Sequence, residues 1–163
     1  MTRPAIVLVQ PRIPGNVGAV GRLCAATRSE LHVVRPIPFE LSDASLRRAG
    51  LDYLNLLNLQ VHMQWDDCRQ SLAGRRLWLL TSSGTQNYFD IKFNPSDVLV
   101  FGSETDGVSE AIRSELAGSA LRLPMPESRA RCLNLATSAA IALYELLRQT
   151  GSLQDEVVDG GSM

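Results

Sequence analysis

The chain has 163 residues, of which 45% are hydrophobic and 20% charged, and its formal net charge is -1 at pH 7. This length predicts one domain whose core is large enough to fold without disulfides or a structural metal. Cys24, Cys68 and Cys132 lie far apart and form no CxxC pair, which argues against a disulfide scaffold and a zinc site. No segment approaches the ~20 apolar residues of a membrane span and no signal pattern opens the chain, so we expect a cytoplasmic protein.

Predicted strands and helices alternate along the chain. An apolar run at 5–9 predicts a strand buried on both faces, and Asn16 is predicted to cap a helix over 17–28. The later predicted elements are a strand at 31–34, helices at 42–57 and 66–72, strands at 76–81 and 97–101, a helix at 109–116, a strand at 120–123 and a helix at 134–149. This alternation indicates an α/β fold with a mostly parallel sheet flanked by helices. We expect residues 1–151 to form this domain and the acidic, Gly-rich segment 152–163 to be a flexible tail.

Ligands of open α/β sheets bind at the carboxyl ends of strands, which directs attention to the loops after Leu80, Phe101 and Leu123. The loop after Phe101 is bounded by glycines, which let the backbone approach a ligand closely. The loop after Leu123 carries Arg129 and Arg131 and leads into a helix that begins with small residues. An ordinary turn and a tightly packed helix would also explain the glycines and alanines. They would not explain the two arginines, a residue type suited to phosphate.

Several common sites are excluded. The chain has no P-loop, no GxGxxG after the first strand and no GxSxG elbow. The loop after Phe101 fails as a calcium loop, because Gly102 stands where an EF-hand needs an acid. His32 and His62 each lie in or beside an apolar run, which favours structural roles. With so few histidines and scattered cysteines, we expect no metal site.

Three segments in order resemble the motifs of the SPOUT RNA methyltransferases. They are IPGN with GRLCA at 13–25, FGSETDG at 101–107, and the stretch from LPM to LNL at 123–135. LRRAGLDY at 46–53 and the ending at 144–149 resemble the TrmL subgroup in particular. That subgroup methylates the ribose 2′-OH of the wobble nucleotide, a cytidine or modified uridine, in certain tRNAs.

The resemblance implies properties that composition and spacing do not reach. It implies a deep trefoil knot in the C-terminal part of the α/β fold, and threaded chains are almost absent from proteins at large. It also implies S-adenosyl-L-methionine as methyl donor, no metal, and a homodimer whose active site is completed across the interface. The implied partner is the anticodon loop of tRNA, with no membrane involved.

Carried over position by position, the resemblance implies two sets of site residues. Those lining the cofactor would be Leu80, Thr81, Gly102, Glu104, Leu123, Met125, Cys132 and Leu133. Those around the transfer site would be Asn16, Arg22, Arg129, Asn134 and Tyr144. No histidine matches a general base, and a guanidinium is a poor proton acceptor. We therefore expect Arg22 to hold a phosphate and polarise the ribose, while a phosphate oxygen or water receives the proton.

The third motif departs from the family pattern. Its entry loop is one residue longer, Cys132 stands where a serine is frequent, and Ala136 and Thr137 replace a frequent Ser-Asn. Two alternatives therefore stay open. One is a SPOUT 2′-O-methyltransferase acting on another tRNA or rRNA position, and the other is a catalytically inactive RNA-binding dimer.

Overall fold

The computed structural model describes residues 3–50, 52, 54–127 and 129–154, and within them the strands form one parallel sheet. The strands are Ala5–Val9 (β1), Glu30–Val34 (β2), Asn58–His62 (β3), Leu77–Leu80 (β4), Gln86–Asn87 (β5), Val98–Phe101 (β6) and Ala120–Arg122 (β7). Their spatial order is β3-β2-β1-β6-β4-β7-β5, and every neighbouring pair is parallel. The predicted α/β class with a parallel sheet is confirmed.

Helices cover both faces of this sheet. They are Pro14–Thr27 (α1), Asp43–Arg48 (α2), Trp65–Ser71 (α3), Glu110–Glu115 (α4) and Leu135–Gln149 (α5). Short 3-10 turns lie at Leu54–Leu56, Tyr88–Asp90 and Ala117–Ser119. Among the described residues, no helix is long and apolar enough to cross a membrane.

β1 shows why the sheet carries helices on both faces. All five of its residues are buried. Because alternate side chains of a strand point to opposite faces, Ile6 and Leu8 join a core that α1 and α5 cover, whereas Val7 packs in the core that α3 and α4 cover. An apolar run without polar alternation is what such a doubly covered parallel strand requires.

The start of α1 corrects one prediction. The helix begins at Pro14 and its N-cap is Ile13, so Asn16 lies inside the first turn and is not the cap. A proline at the first helical position has a backbone angle already suited to a helix and has no N–H to leave unpaired, so the helix can start earlier than predicted. The Asn16 side chain is buried and bonds to residues distant in sequence.

Among the described residues of the predicted helix over 42–57, the helix does not continue beyond Arg48, where α2 ends, so this part of the prediction is wrong. Gly50 follows with φ +92, a left-handed conformation that stops a helix. Sequence analysis also missed β3 and β5. β3 is an edge strand whose residues are exposed or half-buried except for His62, and β5 has only two residues, so neither carries a clear apolar pattern.

Some predictions fall outside the described residues. Residues 155–163 of the predicted tail are among them, as are Leu51 and Tyr53 of the LRRAGLDY stretch. The division into a domain and a flexible tail stays a prediction.

Candidate active site

The carboxyl ends of β4, β6 and β7 open into a cavity of about 830 Å³. Such a volume is typical of sites for small molecules and cofactors, and the position follows the rule for open parallel sheets. Every residue predicted to line the cofactor lines this one cavity, namely Leu80, Thr81, Gly102, Glu104, Leu123, Met125, Cys132 and Leu133. Asn16 and Asn134 line it as well.

The wall after β6 is a tight backbone turn that begins at Gly102. Ser103 N–H donates to the Gly107 carbonyl at 3.0 Å, and Gly107 N–H donates to the Ser103 carbonyl at 3.1 Å. A Cβ on Gly102 would lie 2.3 Å from the carbonyl carbon of Gly107, so a side chain there would collide with backbone. Gly107 has φ +68, which also favours glycine. The two glycines therefore let the loop fold back on itself at the cavity rim.

A polar network joins the three motif segments at the cavity. The Glu104 carboxylate accepts from the backbone N–H of Arg12 at 2.7 Å and of Ile13 at 3.1 Å. It also accepts from Asn16 Nδ2 at 3.0 Å, and Asn16 Oδ1 accepts in turn from Asn134 Nδ2 at 3.0 Å. The loop after β6, the start of α1 and the start of α5 are thus held together by side chains.

Asn134 ties this network to the backbone of α5. Its Oδ1 accepts from the N–H of Ala136 at 2.9 Å and of Thr137 at 3.2 Å, as an N-cap does. The same side chain therefore ends the loop after β7, starts the last helix and fixes Asn16.

Glu104 is suited to accept hydrogen bonds and unsuited to take up a proton. Burial raises the pKa of its carboxyl group, but the hydrogen bonds from Asn16 and from the backbone N–H groups of Arg12 and Ile13 lower that pKa more, so the net pKa lies below its ordinary value. Its position beside the N-terminus of α1 further favours the charged form. A general base needs a pKa nearer the working pH.

Three predicted transfer-site residues do not line the cavity of the single chain. Arg22 donates from Nε to the Gly50 carbonyl at 3.0 Å and from Nη2 to Asp52 Oδ2 at 2.9 Å. Arg129 forms a two-pronged pair with Glu127 at 2.9 and 2.8 Å on the surface. Tyr144 lies on α5 with 48% of its surface exposed.

Sequence reasoning missed several polar residues that line the cavity. They are Ser82, Ser103, Thr105, Arg113, Arg131 and Ser138. Arg131 stood out in the entry loop without being assigned to the site. No sequence pattern pointed to Arg113, because only the packing of α4 against the loop after β6 brings this residue to the rim of the cavity. There its Nη2 donates to the Val108 carbonyl at 3.4 Å.

Comparison with known proteins agrees with this architecture. Residues 3–144 match the SpoU rRNA Methylase family. A tRNA (cytidine(34)-2'-O)-methyltransferase of Methylovorus glucosotrophus (strain SIP3-4) is 49% identical over 145 residues, covering 88% of this chain and 94% of that protein. A structure solved in a study of the 2-OH methylation of C/U34 on tRNA has a TM-score of 0.85 and 36% identity, covering 91% of this chain and 96% of that one. The SpoU methyltransferase AviRb from Streptomyces viridochromogenes, in complex with the cofactor AdoMet, has a TM-score of 0.74 and 28% identity over 89% of this chain and 57% of that one. Since the family match spans most of the chain, the chain belongs to the SpoU rRNA Methylase family.

Proposed function

We propose that this protein transfers a methyl group from S-adenosyl-L-methionine to the ribose 2′-OH of the wobble nucleotide, position 34, of tRNA. The observation that carries the proposal is the cavity of about 830 Å³ in which all three motif segments meet. The relatives named for methylation at position 34 support the choice of substrate, because this chain covers nearly their whole length. We propose a cytidine or a modified uridine as the target nucleotide, in line with the neighbour studied for methylation of C/U34.

The residues of the cavity fit the proposed cofactor. Leu80, Leu123, Met125 and Leu133 offer apolar surface for an adenine base, and the turn at Gly102 brings backbone groups to the rim. When bound, S-adenosyl-L-methionine supplies an electrophilic sulfonium methyl group. The AdoMet complex of AviRb, which has the same fold, supports this assignment.

We also propose that the chain threads a trefoil knot in its C-terminal part, as SPOUT proteins do. The strand order supports this, since β6 inserts between β1 and β4 and the later β7 inserts between β4 and β5. The loops after β6 and β7 are the ones that line the cavity. A knot at this place would hold both loops in register around the ligand.

The chain's own residues would orient the nucleotide rather than remove its proton. Asn16 and Asn134 are fixed by the Glu104 network, so their amides are held in place at the cavity. Arg22 would hold a phosphate and polarise the ribose, and a phosphate oxygen or water would receive the 2′-OH proton. Orientation of this kind can contribute as much as roughly 7–11 kcal/mol.

A homodimer would bring the remaining residues to the site. Arg22, Arg129 and Tyr144 are exposed in the single chain, and Tyr144 shares a face of α5 with Ile141, which is 39% exposed. A second copy packed on that face would cover the apolar surface and place arginines from both chains around one anticodon loop. We place this tRNA enzyme in the cytoplasm, where its substrate occurs.

The decisive experiment is nucleoside mass spectrometry of unmodified tRNA incubated with the protein and S-adenosyl-L-methionine. We expect a new 2′-O-methylcytidine or 2′-O-methyluridine-type nucleoside, mapped by nuclease fragments to position 34 and absent with Arg22→Ala. Cofactor binding without a methylated tRNA nucleoside would direct the search to another RNA. Failure to bind the cofactor would refute the enzyme and favour an RNA-binding dimer.

A further inference from the structure

We propose that His32, His62 and Cys68 form a binding site for a transition-metal ion of the zinc type, separate from the cofactor cavity. His32 lies on β2, His62 ends β3, and Cys68 lies on α3. One ligand atom from each of these residues lies within 4.8 Å of the other two. The three side chains are at most 9% exposed, and none of them lines the cavity.

One ring nitrogen of each histidine faces a ring nitrogen of the other. His32 Nδ1 lies 2.9 Å from His62 Nε2, and the two rings are parallel within 2°. Two imidazole nitrogens and one sulfur make a donor set that suits Zn²⁺ and related ions and does not suit Mg²⁺ or Ca²⁺. A water molecule would complete a four-coordinate ion.

The second nitrogen of His32 has the partner that metal-bound histidines usually have. Its Nε2 lies 3.4 Å from Glu30 Oε2, and the same carboxylate oxygen accepts from Arg75 Nη1 at 2.8 Å. A carboxylate that accepts from one ring nitrogen favours the tautomer in which the other nitrogen has no proton and can accept a hydrogen bond or bind a metal. In His32 that other nitrogen is Nδ1, which points into the cluster.

Small movements of the side chains would reach coordination geometry. Zn–N bonds of about 2.0–2.1 Å and a Zn–S bond of about 2.3 Å in a tetrahedron require N···N near ~3.3 Å and N···S near ~3.6 Å. The two ring nitrogens, now 2.9 Å apart, would therefore separate slightly. The sulfur already lies within 4.8 Å of both nitrogens, so any shift that it needs to reach about 3.6 Å is at most roughly 1 Å.

The protonation states are compatible with a metal ligand set. Burial lowers the pKa of both histidines, so their rings are neutral at pH 7. With His32 Nδ1 as the acceptor, His62 Nε2 carries the proton of the bond between the two rings, so metal binding requires that proton to move to His62 Nδ1. Burial raises the pKa of Cys68 to about 12, so the metal-free residue is a thiol and binding must release its proton to solvent. The negative charge of Glu30 lies next to the site and would help to balance the ion.

Cobalt is a suitable probe, because Co²⁺ bound to a thiolate gives a charge-transfer band in the near ultraviolet and tetrahedral Co²⁺ gives visible d–d bands. The full chain, freed of metal by a chelator, would be titrated with CoCl₂ and then with ZnCl₂. We expect one equivalent of Co²⁺ to produce both bands, ZnCl₂ to abolish them, and Zn²⁺ to raise the melting temperature. No bands in the folded wild-type protein would overturn the proposal.

Two matched cysteine variants locate the ligand. Cys132 is exposed, so Cys132→Ser should keep the charge-transfer band, whereas Cys68→Ser should lose it. His62→Gln changes a less buried position than His32 and should weaken Co²⁺ binding at least tenfold. This variant tests the site if Cys68→Ser does not fold. A band that survives in folded Cys68→Ser, or that disappears with Cys132→Ser, would refute the site. These measurements require neither tRNA nor methyl transfer, so they are independent of the proposed function.

Discussion

Replacing Gly102 with alanine tests whether close backbone packing shapes the cofactor cavity. In Gly102→Ala the new Cβ would lie 2.3 Å from the Gly107 carbonyl carbon and 2.6 Å from both the Gly107 Cα and the Val108 nitrogen. Since non-bonded carbon atoms prefer about 3.5–4.0 Å, the turn must move by roughly 1 Å. All three neighbours are backbone atoms, so rotation of a side chain cannot relieve the contact.

Overpacking of this kind costs about 1–3 kcal/mol, which corresponds to a melting temperature lowered by about 2–12 °C in a chain of this size. Because the turn is a wall of the cavity, we expect affinity for S-adenosyl-L-methionine to fall at least ~10-fold, equivalent to about 1.4 kcal/mol. Thermal denaturation and isothermal titration calorimetry measure the two effects.

Gly118→Ala is the matched control, because nothing lies within 4 Å of a Cβ at that position. It should leave both the melting temperature and the cofactor affinity close to those of the wild-type protein. If Gly102→Ala also behaved like the wild-type protein in both assays, the reasoning that Gly102 and Gly107 must touch to form the cavity would be refuted.

Three further substitutions test the Glu104 network, the pair of Arg22 with Asp52, and the pair of Arg76 with Asp97. The folded pKa of Glu104 lies below 4.5, so its contribution to stability is present above about pH 4.5 and is lost as the pH falls through the folded pKa. Urea denaturation between pH 7 and pH 3 should therefore show a smaller acid-induced loss for Glu104→Gln than for the wild-type protein, and identical pH profiles would contradict this. Asp52→Asn removes the carboxylate that pairs with Arg22. We expect kcat with tRNA to fall while calorimetry shows unchanged cofactor affinity. A parallel loss of cofactor binding would argue against a role of this pair in positioning the tRNA. The buried carboxylate of Asp97 accepts from Arg76 Nε at 2.8 Å, and Asp97→Asn should lower the free energy of unfolding by about 1–3 kcal/mol in urea at pH 7, whereas an unchanged midpoint would show that the pair contributes little.

Local patterns predicted the elements that depend on neighbouring residues. The apolar runs at β1, β4 and β6 were recognised because a strand covered on both faces must be apolar throughout. Asn134 was recognised at the start of α5 because a cap acts on N–H groups only two and three residues away. The resemblance named eight residues to line the cofactor, six of them in the second and third motif segments, and all eight line one cavity.

By itself, then, the sequence determined the α/β class, the buried strands and the three loops of the site, because these depend on residues close together in the chain. Only the tertiary structure decided which distant residues meet. The predicted cap Asn16 is in fact the link between Glu104 and Asn134. The fold also brings together His32, His62 and Cys68, whose scattered positions along the chain did not indicate a metal site. These contacts depend on the order and register of strands far apart in sequence, and such long-range pairing leaves no periodic signal in the chain.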